Sequence, residues 1–213
     1  MKGYALDVAT LARKDLRLEL RARDTLPAML LFVLAVLVVF GFVLPEDAGD
    51  VVRTGLLWVA ILFTAVLGLT RAFVPEREQG VMDGLVLSPV DRSAIWLGKA
   101  TAMLAFLALV EVVALPAFHV LFGGVDAATV AAVALADLGI CAVGTTFAAM
   151  AAAGRARELL MPLLFLPASI PIVVGGVGAS VADDPAQYLA FLALYDALFA
   201  VLSWASFEYV VTE

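Results

Sequence analysis

Thr25-Leu-Pro-Ala-Met-Leu-Leu-Phe-Val-Leu-Ala-Val-Leu-Val-Val-Phe-Gly-Phe-Val-Leu-Pro45 decides the fold class. The stretch holds no charge and is long enough to cross a bilayer, which takes about 20 apolar residues as a helix. It is not alone. Thr54 to Thr70 and Leu159 to Ala182 are also free of charge. Lys99 to Asp126 is interrupted only by Glu111, Ala127 to Gly154 only by Asp137, and Pro185 to Phe207 only by Asp196. Segments of strict alternation, the mark of a β-barrel, are absent. The expected fold is an all-α integral membrane bundle. A single domain covers 1–213, with spans near 26–44, 54–74, 95–122, 127–153, 159–181 and 188–210.

Composition agrees. Of 213 residues, 64% are hydrophobic and 15% charged, and the mean hydropathy is +1.05. A soluble domain of this size is nearer half apolar and a quarter charged. The apolar run that follows the N-terminal polar segment is too long for a signal peptide, so the first span is expected to stay. The single Cys141 permits no internal disulfide, and no C-x-x-C-H motif or metal cluster is present.

The placement of Lys and Arg orients the chain. Six lie in the N-terminal segment (Lys2, Arg13, Lys14, Arg17, Arg21 and Arg23). Arg71, Arg77, Arg92 and Lys99 follow the second span, and Arg155 and Arg157 the fourth. The remaining loops hold Arg53 alone, against Glu46, Asp47, Asp50, Asp126, Asp183 and Asp184. This 12-to-1 bias predicts both termini in the cytoplasm. The net charge of −7 does not oppose a membrane location, and no nucleic-acid partner is expected.

Residues 1–25 read as a helix with Arg13, Lys14, Arg17 and Arg21 on one face. Val8, Leu11 and Ala12 lie opposite, but Asp15 and Glu19 stand among them. The helix either lies in the membrane interface or is solvated with charges that set topology. Trp58 and Trp96 read as interfacial anchors. His119, the only histidine, falls near the outer end of the third span and reads as an interfacial polar residue or, less simply, a ligand.

The substantial cytoplasmic loop lies between the second and third spans. Pro75 can open a short helix, with Glu76 and Glu78 at its positive end. Gly80 and Gly84 leave room for another backbone. Leu85, Val86 and Leu87 are apolar and need a cover. Either a soluble subunit docks there or the loop folds back on the membrane. The intramembrane acids are Glu111, Asp137, Asp196 and, near the cytoplasmic end, Glu208. Each is a functional candidate or a hydrogen-bonding tie between helices. Pro162, Pro167 and Pro171 in the fifth span predict a kinked or broken helix, which lines a pathway or only shapes packing. No G-x-x-x-x-G-K-[ST] loop is present, so ATP is not hydrolysed here by that route.

The loop Phe73-x-x-Glu76-Arg77-Glu78-x-Gly80-x-x-x-x-Leu85-x-Leu87-x-Pro89, followed by Gly98-Lys99, resembles the first cytoplasmic loop of ABC-2 type exporter permeases. The whole chain resembles the haem exporter protein B family, the permease subunit of bacterial cytochrome c maturation. Four blocks carry the match: Lys14 to Arg21, Trp58 to Lys99, Arg155 to Pro171, and Asp196 to Tyr209. The resemblance implies a six-span permease in the bacterial inner membrane that pairs with a second copy of itself. A separate cytoplasmic ATPase would bind the ATP, and this chain would carry no catalytic site or bound cofactor of its own. A haem-handling membrane subunit and a small single-span subunit would complete the assembly, with haem as cargo. ATPase coupling would fall to Glu76, Arg77, Glu78, Gly80, Asp83, Gly84, Leu85 and Leu87, and a second cytoplasmic contact to Arg155 and Arg157. Three other readings stay open. They are an ABC-2 permease for another amphipathic cargo, a scaffold through which ATP hydrolysis remodels neighbours, and a secondary transporter relaying protons through Glu111, Asp137 and Asp196.

Overall fold

A computed structural model describes residues 2–74, 76, 80, 84, 89–153 and 157–212. They form α1 (Lys2–Ala22), α2 (Thr25–Val43), α3 (Asp50–Arg71), α4 (Arg92–Phe122), α5 (Ala127–Ala153), α6 (Arg157–Val181) and α7 (Ala186–Thr212). Among the described residues α2 to α7 are the six helices long and apolar enough to cross a membrane. With no water in the hydrocarbon layer, a helix satisfies its own backbone groups, which is why these runs take this form.

The helix ends follow from polar residues in the loops. Asp91 Oδ1 accepts from the Ser93 N–H at 2.8 Å to open α4, Asp126 from Thr129 N–H at 2.7 Å to open α5, and Asp184 from Ala186 N–H at 3.0 Å to open α7. Each satisfies an N–H that the helix itself leaves unbonded. Asp91 is held below the usual carboxylate range by the Ser93 hydroxyl, which also donates to it at 2.7 Å, and by the Ser93 N–H, and Asp126 by its bonds from Thr129. Gly123 and Gly124 end α4 with φ of 71° and 76°, a backbone that glycine adopts without strain. Two of the six acids in the acidic loops, Asp126 and Asp184, are therefore helix caps.

α5 lies at the centre, packed on α3, α4, α6 and α7. Its sequence is dominated by Ala and Gly, and small residues let membrane helices approach closely. A Cβ at Gly144 would run into Leu69 of α3, and one at Gly139 into Asp196 of α7. α2 is peripheral. It fully buries only the stripe Met29, Val33 and Leu37 against the bundle, flanked by the partly buried Leu26, Leu30, Leu34 and Val36, while residues such as Leu31, Val38 and Phe42 are exposed.

Two expectations are corrected. Of the kinked and broken alternatives for α6, the broken one is overturned: the helix is continuous from Arg157 to Val181 through Pro162, Pro167 and Pro171. Two of its carbonyls also take a side-chain donor: Tyr195 Oη–H donates to Ala168 O at 2.7 Å, and Ser169 Oγ–H to Leu166 O at 2.8 Å. Trp58 and Trp96 are not lipid-facing anchors but are 1% and 5% exposed. Gly176 of α6 has no side chain where the Trp58 ring lies, and the Trp58 indole N–H donates to Ser180 Oγ at 3.4 Å. The Trp96 indole N–H donates to Ala142 O at 3.3 Å. Their N–H groups are thus satisfied inside the bundle, which removes the reason to seek the interface.

Candidate functional site

The site begins where α1 crosses α4. Gly98 allows the crossing, because a Cβ there would lie 2.8 Å from Leu11 Cβ and 3.4 Å from the Val8 carbonyl oxygen. Tyr4 and Ser93 hydrogen-bond hydroxyl to hydroxyl at 3.0 Å farther along the contact. The next residue on α4 is Lys99, 7% exposed. Its ammonium lies 3.0 Å from Asp15 Oδ2 and donates to Glu76 Oε1 at 2.8 Å and to Ala72 O at 2.6 Å. It also stands 5.1 Å from the centre of the Phe73 ring, within cation–π range.

Lys14 reaches the same acids from α1. Its ammonium donates to Glu76 Oε1 at 2.6 Å and lies 3.0 Å from Asp15 Oδ1. Two ammonium groups and two carboxylates therefore alternate in one buried cluster, each charge with two opposite partners. Burial alone would raise the Glu76 carboxyl, but the Lys99 charge and the Lys14 hydrogen bond outweigh it and hold Glu76 below its ordinary range. Burial alone would lower Lys14, but its bond to Glu76 and the charge of Asp15 outweigh it and raise the ammonium. The cluster clasps three segments together: α1, the stretch after α3, and the start of α4. Glu19, the other acid on the inner face of α1, caps α2. Its Oε1 accepts from Thr25 N–H at 2.6 Å and from Leu26 N–H at 2.8 Å. The two acids that made α1 imperfectly amphipathic are thus its two anchors.

The intramembrane acids fall into a pair and a single. Glu111 of α4 and Asp137 of α5 are 7% and 2% exposed and meet carboxyl to carboxyl. Two carboxyls bond to one another only through a proton held by one of them. Cys141 is buried one turn along α5 from Asp137. Asp196 of α7 is 8% exposed, beside Gly139, and neither of its oxygens finds a hydrogen-bond partner among the described residues. At 1.5 Å rise per residue each of the three acids lies roughly 15 Å along its helix from the loop end of Phe122, Ala127 or Ala186. They occupy one level on three mutually packed helices. Glu208 is elsewhere, bonded to Arg92 at 2.7 Å at the exposed end of the bundle.

Of the expected coupling residues, Glu76 is 3% exposed and turned inward, its carboxylate bonded to Lys14 and Lys99. Gly80 and Gly84 are exposed, with open space where a Cβ would stand, and Gly80 has φ of 64°. Arg77, Glu78, Asp83, Leu85 and Leu87 lie outside the described residues, as does Arg155; Arg157 opens α6, its side chain outside the description. His119 is exposed at the last turn of α4.

The sequence model of a family described as CcmB protein matches residues 7–208. The chain belongs to the CcmB protein family. Among curated relatives, Heme exporter protein B of Bradyrhizobium diazoefficiens is 32% identical over 181 residues, covering 82% of this chain and 81% of the relative. Heme exporter protein B of Paracoccus denitrificans is 30% identical over 189 residues, covering 84% and 87%. That of Rhodobacter capsulatus is 32% identical over 171 residues, covering 78% of each. With six membrane-length helices, this CcmB family member is a multi-pass membrane protein.

Sequence reasoning singled out Glu76 but missed its partners. In the sequence Lys99 reads as a topological charge and as part of the Gly98-Lys99 match, and Lys14 as part of the basic face and of the Lys14 to Arg21 block; neither reads as a partner of Glu76. The available signal was Lys99 itself, a lone cation inside Ile95-Trp96-Leu97-Gly98-Lys99-Ala100, together with Asp15 on the apolar face of α1. An unpaired ammonium in such a run would be too costly to keep.

Proposed function

We infer that the chain is the membrane permease of a haem-export system for c-type cytochrome maturation, coupled to a separate cytoplasmic ATPase. The observation that carries this reading is near-full-length membership of the CcmB family, with relatives named Heme exporter protein B. The chain sits in the bacterial inner membrane with both termini in the cytoplasm, pairs with a second copy, and joins a haem-handling subunit and a small single-span subunit. Haem is cargo and ATP acts through the ATPase. The void beside Leu69, Phe73 and Met161 has a volume of about 10 Å³, room for about one water.

The coupling element is the segment from Glu76 to Leu87. A docked ATPase meets its outer side, where Gly80 and Gly84 are open. Displacement of the segment is passed through Glu76 to Lys99 on α4 and to Lys14 and Asp15 on α1. A rigid clasp moves both helices as bodies, the manner in which packed elements switch. Gly84→Leu is expected to impair ATPase binding by holding the partner backbone away, and Glu78→Lys to weaken the coupling of hydrolysis to function. Co-purification of the ATPase, its turnover in the assembled complex and cytochrome c yield are the measurements. Normal values of all three in both variants would remove this segment from the mechanism and leave Arg155 and Arg157 as the next candidates.

A further inference from the structure

Arg13, Arg17 and Arg21 follow one another at four-residue spacing on the outward side of α1 and are exposed. Among the described residues no carboxylate pairs with any of them. Like charges at that spacing weaken a helix, so the row lacks its counter-charge. Together with Thr10, Lys14 and Leu18 the three arginines line an open groove of about 540 Å³. The same outward side carries Leu6 and Leu20, 66% and 67% exposed. Cations interleaved with exposed leucines suit neither water nor hydrocarbon, but do suit the boundary between them.

The rest of the structure holds this face at that boundary. The opposite side of α1 is packed on α4 at Gly98 and pinned by the Tyr4–Ser93 hydrogen bond and the Asp15–Lys99 ion pair, so α1 cannot roll. Only Arg23 and Asp24 separate it from α2, and Lys99 lies in the early turns of α4. Both are membrane-length helices. The arginine row therefore stands at the level of the lipid phosphates, and Leu18 stands at the edge of its groove.

We propose that this groove binds the headgroup phosphate of anionic phospholipids, with Arg13, Arg17 and Arg21 meeting the phosphate and Leu18 the start of an acyl chain. Guanidinium groups match phosphate oxygens in pairs, and a leaflet of anionic lipid supplies the counter-charge along the whole row. The site does not depend on what the protein transports. Lys14 links it to the buried cluster, since its ammonium is already bonded to Glu76 and Asp15.

The full chain, purified in neutral detergent, would be titrated with short-chain phosphatidylglycerol, short-chain phosphatidylcholine and inorganic phosphate, reading thermal stability and lipid retained in native mass spectra. Phosphatidylglycerol is expected to bind and protect, and the other two are not. Each basic residue at an anionic surface contributes roughly fivefold in affinity. The triple Arg13→Gln, Arg17→Gln, Arg21→Gln variant should therefore lose roughly a hundredfold, and the triple Lys variant should keep most of it. In wild-type protein the protection should fall as salt rises, a measurement that needs no variant to fold. Equal binding of phosphatidylcholine, equal protection by inorganic phosphate, indifference to salt, or full phosphatidylglycerol affinity in the Gln variant would each overturn the proposal. So would a Gln variant that keeps its lipid affinity and instead loses a partner subunit on co-purification, which would make the face a protein interface.

Discussion

Lys99 shows how one side chain sets the cost of a site. An ammonium 7% exposed at the start of a membrane-length helix is tolerable only because Asp15, Glu76 and the Ala72 carbonyl surround it. Lys99→Met should therefore destabilise the fold by about 3 to 5 kcal/mol, since it leaves Asp15 and Glu76 buried with only the half-exposed Lys14. Changing Asp15, Lys99 and Glu76 together to apolar residues should recover much of that loss, because burying the ions is itself costly. Unfolding in detergent micelles would measure both, and a loss below about 0.5 kcal/mol for Lys99→Met, the range of an ordinary surface change, would show that the cluster is not structural. The cluster also fixes a pH window. Glu76 is held below its ordinary 4.5 in the folded state, so its contribution is present above 4.5 and is lost as pH falls through the lowered value. Lys14 is raised above 10.5, so its contribution is complete below 10.5 and is lost as pH rises through the raised value. The cluster's share of the thermal midpoint should be constant between these limits and fall outside them. Glu76→Gln should flatten the acid limb and Lys14→Met the alkaline one. An acid limb unchanged by Glu76→Gln would assign that limb to other groups.

At the scale of the element, α3 and α6 meet through a flat ring laid against a bare backbone. Trp58 occupies the place where a Cβ of Gly176 would be, while Gly178 receives Tyr188 and Gly175 receives Leu192. Gly176→Val should force the two helices apart or turn the indole out of its rotamer, at a cost of about 1 to 3 kcal/mol. A red-shifted tryptophan emission with a lowered melting point would show the displaced ring, whereas a variant with wild-type emission and stability would mean that the slot is looser than it looks. The same contact shows what the sequence disclosed. The spans were legible because an apolar run of about twenty residues with at most one acid needs no knowledge of its neighbours. The Gly175-Gly176-Val177-Gly178 run marked a close approach on α6, but nothing local said that Trp58, more than a hundred residues earlier, was the group approaching. Trp58 read as an interface anchor because hydropathy places a residue along a helix and not around it. The inner acids of α1 read as flaws for the same reason: periodicity names a face, and only the folded chain supplies Lys99 and the first turn of α2 as partners. The continuity of α6 was equally hidden, since whether a helix continues through a proline depends on the neighbours packed around it.

At the scale of the whole molecule, six crossings put both ends of the chain on one side, and the contacts show which parts gather there. α1 touches the start of α4 through Tyr4 and Ser93, and the start of α4 touches the end of α7 through Arg92 and Glu208. Glu76 is clasped at this same end. The opposite end is formed by the acid-capped starts of α5 and α7 and the glycine stop of α4. Lys and Arg concentrate at the first end by 12 to 1, and cytoplasmic loops are the ones that carry such an excess. Single cysteines at residues 48, 125 and 183, introduced one at a time, should therefore react with a membrane-impermeant maleimide added to intact cells. Those at 82 and 156 should react only after permeabilisation. Cys141 is buried, so the native thiol is shielded from the reagent and can stay in place. The result bears on more than orientation. An ATPase in the cytoplasm can push on Glu76, and through it on Lys99 and α1, only if residue 82 is inside. External labelling at Met82 or Ala156 would place the clasp on the wrong side for ATP-driven motion, and the coupling role assigned to the segment from Glu76 to Leu87 would fall with it.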